Sequence, residues 1–194
     1  LARWGKNDPA VLEESLHTSL AEITRMKKMI EELLQLARRE EVDVTQGAQV
    51  ETVYEQVRSE LNQLYPEAIF ELNVLGQPAV IAISEHALMQ ILRNIMSNGI
   101  RYNQLQPKLN TTIHYANQAI TIKIQDNGIG IAQRHLPHIF DRFYRIDEAR
   151  TNQISGTGLG LSITKMLVEK YKAEINVESI VNKGTLFILN FPKK

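Results

Sequence analysis

Between residues 9 and 40 the apolar side chains return every three or four positions. Leu12, Ser19, Met26 and Leu33 are seven apart, and so are Leu16, Ile23, Ile30 and Ala37. The alternating steps make the a/d seam of a coiled coil, broken only by Ser19 and widened by Leu20 and Leu34. The spacing predicts one long helix over 9–40. Asp8 suits its N-cap, and Pro9 suits the first helical position, where a missing amide hydrogen costs nothing. Such a stripe is too apolar for a lone helix. It either lies on its own domain or joins partner helices, and the strict 3.5-residue spacing favours a bundle. Ahead of it, Leu1 to Trp4 reads as the end of another helix that turns at Gly5 to Asp8.

The pattern breaks over 41–47, where Val, Asp, Thr and Gly replace the heptads. This places a domain boundary there, giving units 1–41 and 42–194. A helix follows near 49–65, stopped by Pro66, then strands at 69–75 and 80–83. Ser84 caps a helix running to about Tyr102. Strands at 111–115 and 119–125 flank a turn at Asn117 and Gln118. In the second of them Ile120, Ile122 and Ile124 alternate with Thr121, Lys123 and Gln125, as a half-buried strand requires. A helix over 158–171 and strands at 174–178 and 185–191 complete the chain. Helices and strands mix without a βαβ repeat. The expected class is α+β, one mixed sheet with helices on one face.

Composition narrows the function classes. Across 194 residues, Lys+Arg and Asp+Glu are both 22, so no net field marks the chain for nucleic acid or an anionic membrane surface. There is no cysteine, which excludes disulfides and thiolate metal sites and fits a reducing compartment. No apolar run reaches the roughly 18 residues that span a bilayer. The expectation is a cytosolic piece of a longer protein, without direct membrane contact.

Three stretches carry candidate chemistry: Asn94-x-x-x-Asn98, Asp126-Asn-Gly-Ile-Gly130 and Gly156-Thr-Gly-Leu-Gly160. Asn94 and Asn98 are adjacent on the narrow polar stripe of their helix. A solvated stripe would favour Glu and Lys, which are better helix formers. Two stacked amides offer carbonyl oxygens to a hard cation such as Mg²⁺ and N–H groups to phosphate, although an accidental polar face reads equally well from this helix alone. Asp126 ends a strand. Its carboxylate can accept an exocyclic amine such as that of adenine, while Gly128 and Gly130 let backbone approach a flat ring; an ordinary Asn-Gly turn is the plainer reading. Gly156 to Gly160 opens a helix, and the free N–H groups there favour anionic phosphate. No Gly-Lys-Ser/Thr follows and no strand precedes, so the stretch is neither a Walker loop nor a Rossmann fingerprint.

In this order, together with Phe140-Asp-Arg-Phe143 and Lys183-Gly-Thr185, the motifs resemble the catalytic ATP-binding domain of bacterial sensor histidine kinases. That domain has the Bergerat ATP fold, a two-layer α/β sandwich shared with DNA gyrase, MutL and a heat-shock chaperone. The resemblance extends to 11–39, which is similar to the second helix of the kinases' dimerisation hairpin, with 3–9 as its turn. The wording is similar to kinases, of Gram-positive type, that partner winged-helix response regulators. It implies ATP and Mg²⁺ as ligands, with Asn94 and Asn98 on the metal and phosphates and Arg101 in place of the family's usual Lys. Tyr102 and Ile131 would line the base, Asp126 would bind the adenine amine, and Gly128 and Gly130 would shape its floor. Phe140 and Phe143 would anchor a lid over 145–157, and Arg142 or Arg145 would reach the γ-phosphate unless they are plain surface charges. Gly156, Thr157, Gly158, Leu159 and Gly160 would hinge the lid and seat the phosphates, with Thr185 closing the site. Arg101 and Gly99, the latter where Ala is commoner, depart from the family pattern.

Within that fold, ATPases place a general-base Glu four residues before the first Asn, and here the position is Gln90. An amide cannot take the proton, which favours transfer to another acceptor over hydrolysis. The kinases' acceptor is a histidine followed by an acidic residue. His17, His86, His114, His135 and His138 are followed by Thr, Ala, Tyr, Leu and Ile, so none matches. His135 and His138 form a possible metal pair without a third ligand and read better as surface residues. The resemblance thus implies a homodimerising kinase core, cytoplasmic in a membrane-bound parent, that binds ATP and Mg²⁺ without phosphorylating itself and relays to a response regulator. A serine/threonine kinase of the anti-sigma type and a non-catalytic nucleotide-binding adaptor are the competing readings.

Overall fold

The structure, a computed structural model, describes residues 9–37, 47–146 and 156–193. The chain divides into two compact units that part between Arg38 and Arg39. The first holds helix α1, Pro9–Ala37. At about 1.5 Å per residue it is roughly 44 Å long. Its seam stands in solvent: Val11, Leu12, Leu16, Leu20, Ile23, Met26, Ile30 and Leu34 are each more than half exposed. The Asp8 cap, residues 3–8 of the expected turn, the helix end expected over 38–40 and residues 41–46 of the expected boundary stretch lie outside the described residues.

In the second unit, strand β1 (Ala48–Gln49) leads straight into helix α2 (Val50–Leu64). Pro66 lies two residues beyond the helix end, where a proline cannot extend it. The sequence pattern gave no sign of β1, because two residues are too few to show alternation. Its partner is strand β3, Val80–Ile81, which is shorter than the expected 80–83. Between them runs strand β2, Ile69–Leu75. Helix α3 spans Glu85–Arg101, and the Ser84 hydroxyl caps it by accepting the Ala87 N–H. Strands β4 (Lys108–Tyr115) and β5 (Ala119–Asp126) form a hairpin. A 3-10 turn, Gln133–His138, leads towards helix α4, Gly160–Lys170. Strands β6 (Glu174–Ile180) and β7 (Gly184–Pro192) close the unit.

The five-stranded sheet has the order β2-β4-β5-β7-β6, with β2 parallel to β4 and every other pair antiparallel. It is the mixed sheet expected, of the α+β class. Strand β4 begins three residues earlier than its apolar pattern suggested. Its buried face runs Leu109, Thr111, Ile113, Tyr115, and the polar Thr111 hides the alternation. Ile113, Ile122, Ile124, Phe187 and Leu189 of the sheet and Leu88, Ile91, Leu92 and Ile95 of α3 are all buried, where α3 packs against β4, β5 and β7. Each such side chain contributes about 1.5–3 kcal/mol on burial. A bidentate ion pair from Arg93 to Glu60 ties α3 to α2 at the rim. The packing leaves one stripe of α3 facing the ends of β5 and α4.

Candidate functional site

That stripe organises the candidate residues. Asn94 donates through Nδ2 to the Gly160 carbonyl at 2.9 Å and to Thr164 Oγ1 at 3.3 Å. The amide therefore pins the middle of α3 to the first turn of α4, and its side-chain oxygen makes no hydrogen bond to any described residue. One turn on, the half-buried Asn98 amide makes no hydrogen bond to any described residue. At the C-terminal end of α3 the Arg101 guanidinium lies beside Gly156, whose Cβ position is 3.7 Å away. Arg145 donates to the Gly156 carbonyl at 3.1 Å. Two cations thus flank the entry to the glycine-rich stretch.

Asp126, the last residue of β5, is buried to 8 % exposure. Its Oδ1 accepts two backbone N–H groups, from Gly128 at 2.8 Å and Thr185 at 3.0 Å. Burial pushes the carboxyl above its ordinary value, and those two donors pull it back. Its other oxygen lies beside Gly99 of α3. Beyond Asp126 the chain makes a tight loop. Gly130 has φ +66, and a Cβ there would fall 2.1 Å from the Ile180 carbonyl oxygen, so no other residue fits. Hydrogen bonds from Ile129 to the Tyr102 carbonyl and from Asn182 to the Ile129 carbonyl fix this loop between α3 and the β6–β7 turn. Ile131 follows, its N–H bound to Ser179 Oγ at 2.7 Å.

Helix α4 starts at Gly160, two residues later than expected. Gly158 has φ +73 and packs on the Phe143 backbone, which closes a hydrogen bond from the Phe143 N–H to the Gly158 carbonyl. A residue in that conformation cannot begin a right-handed helix. Among the described residues no side chain caps α4. Thr157 Oγ1 accepts the Leu159 N–H just before it.

The structure therefore brings Asn94, Asn98, Arg101, Tyr102, Asp126, Gly128, Arg145, Gly156 and Gly160 around one half of α3. Arg142 is exposed, and no described contact ties it to this group. Phe140 turns instead to α4, with Lys165 Nζ 5.7 Å from its ring centre. Within the expected lid over 145–157, the stretch 147–155 lies outside the described residues. Two members were missed. Thr164 is fully buried, donating to the Gly160 carbonyl and receiving Asn94. Ser179 is buried at an inward position of β6, in line with Ile175 and Val177. A small hydroxyl where a branched apolar residue is expected was the available signal. His135 and His138 bind Tyr144 and Asp141 respectively, and no three-ligand metal cluster occurs among the described residues.

Residues 83–194 match the family described as histidine kinase-, DNA gyrase B- and HSP90-like ATPases, and the chain belongs to that family. The chain carries an ATPase catalytic domain of the histidine kinase kind. The signal transduction histidine-protein kinase ArlS of Staphylococcus aureus is 37% identical over 194 residues, covering 98% of this chain and 43% of that protein. The chain thus spans under half the length of the curated relatives it matches. In three dimensions it resembles the Acinetobacter baumannii histidine kinase AdeS, with TM-score 0.72 at 21% identity over 97% of this chain and 87% of that one. It also resembles full-length ShkA in complex with AMPPNP, with TM-score 0.74 at 22% identity over 93% of this chain and 39% of that one. Likenesses at such identity establish the fold.

Proposed function

We propose that this chain is the ATP-binding core of a sensor histidine kinase, which passes the γ-phosphoryl of ATP to a histidine outside residues 1–194 for relay to a response-regulator aspartate. The parent would be a membrane-bound sensor, dimerising through a hairpin to which 1–41 contributes. What carries the reading is the convergence on α3 of one buried carboxylate, two amides, two guanidinium groups and the start of α4.

Each part has a chemical task. Asp126 holds the purine through its free oxygen, with the loop at Gly128 to Ile131 and Tyr102 around the base. The first-turn N–H groups of α4 and Arg101 face the phosphates, with Arg145 at the γ end. The side-chain oxygen of Asn94 and the Asn98 amide suit a hard cation, so these residues would hold Mg²⁺, which neutralises phosphate charge. Phosphoryl transfer runs through a loose transition state, so positioning and charge neutralisation do most of the work. Gln90 in α3 offers no base for water, which directs the reaction to an imidazole acceptor.

Calorimetry with ATP and magnesium should show one site per chain. Incubation with γ-labelled ATP should leave no acid-labile phosphoprotein, since no histidine here has the acceptor pattern. Absence of binding at millimolar nucleotide would defeat the proposal, and label on His17 would defeat the assignment of the acceptor elsewhere.

A further inference from the structure

The Ser179 hydroxyl belongs to none of the motifs above, yet it uses every hydrogen-bonding capacity it has. It is 6 % exposed. A serine hydroxyl donates once and accepts twice. Its Oγ accepts the Ile131 N–H at 2.7 Å and lies 3.0 Å from the Gly184 carbonyl and 2.9 Å from Thr185 Oγ1. A carbonyl can only accept, so the Ser179 proton goes to Gly184, and the Thr185 hydroxyl donates to Ser179. The set has one solution.

These partners join two segments that the sheet does not hold together. Ile131 follows the loop after Asp126, whereas Gly184 and Thr185 open β7. The β5–β7 ladder ends at the pair Gln125 and Leu186, one residue short of Asp126 and Thr185. Yet the Thr185 N–H is one of the two donors on Asp126 Oδ1. Past that ladder pair Thr185 is held in the sheet only from the other side, by the β6–β7 ladder in which Ser179 faces it, and the Ser179 hydroxyl links that hairpin to the loop at Ile131.

We infer that Ser179 is a positioning residue for base recognition. By gripping Thr185 and the loop at Ile131 it fixes the Asp126 carboxylate, so that its second oxygen meets an exocyclic amine in one orientation. This rests on the reading of Asp126 as the base-recognising group. The role is one of selectivity between purines, which a plain hairpin staple would not have.

Inosine triphosphate, which carries a 6-oxo group instead of the amine, separates the two. Calorimetry on the whole chain would compare MgATP with MgITP for wild type, Ser179→Ala and Ser179→Cys. Ser179→Ala should lose about fivefold in ATP affinity, the scale of one displaced hydrogen bond, with ITP almost unchanged. Ser179→Cys, nearly isosteric but a weak hydrogen bonder, should fall between, and it carries the same comparison if the alanine variant does not fold by circular dichroism. Equal losses on both nucleotides would reduce Ser179 to a structural staple, and unchanged affinities would remove it from the site; either result overturns the inference. A wild-type chain that binds neither nucleotide, or binds both alike, would instead bring down the reading of Asp126.

Discussion

Asp126 is a buried acid with one oxygen held by two backbone N–H groups and the other assigned to the base under the proposed function, which would give it opposite effects on stability and on binding. Burial raises its pKa above the unfolded value. The folded chain therefore holds a proton where the unfolded chain has released it, so this group's contribution to stability falls as pH rises above the unfolded pKa and recovers on acidification. Recognition of an amine needs the carboxylate and runs the other way. The preference for ATP over ITP should shrink on acidification, as the carboxyl with its raised pKa takes up a proton, while phosphate titration cancels in the ratio. Asp126→Asn keeps an acceptor for Gly128 and Thr185 and removes a buried charge. It should abolish ATP binding and leave the melting temperature of the nucleotide-free chain equal or higher. The two asparagines also divide. Asn94→Ala removes the bonds to Gly160 and Thr164 and should cost about 1 kcal/mol of stability as well as nucleotide affinity. Asn98→Ala, with no such bond to lose, should weaken magnesium-dependent binding at unchanged stability. Denaturant titrations and calorimetry would read both.

At the scale of elements, the site exists because β5, α3, α4 and the β6–β7 hairpin are jammed together at their ends. Gly130 is the tightest of these joints. Gly130→Ala imposes a strained φ and a Cβ against the Ile180 carbonyl, and should cost about 2 kcal/mol or more together with much of the ATP affinity, measured by urea denaturation. The same joints mark the limit of what was legible in the chain. Long periodic elements such as α2, α3 and β5 were readable to within a residue or two, since periodicity reports a buried face directly. The order of the motifs led to the family. What periodicity cannot report is contact between distant segments. Thr164 and Ser179 look like ordinary polar residues until folding sets them against Asn94 and Thr185. The start of α4 was misplaced for the same reason, because Gly158 is held out of the helix by Phe143, a residue fifteen positions earlier.

At the scale of the whole molecule, the two units differ in how they are sustained. The second has a core of its own, whereas Val11, Leu12, Leu16, Leu20, Ile23, Met26, Ile30 and Leu34 of α1 stand exposed at 53–64 %. An isolated helix gains little from its backbone alone. We expect the chain to self-associate through α1, with a dimer visible by analytical ultracentrifugation that Leu16→Asp with Ile23→Asp dissolves without loss of ATP binding. Heating should then give two transitions, one of them dependent on protein concentration. A helix whose stability comes from its neighbours is a counter of molecules. Dilution alone would unwind the rod and leave the nucleotide pocket standing, so the number of chains present governs the first unit while chemistry governs the second.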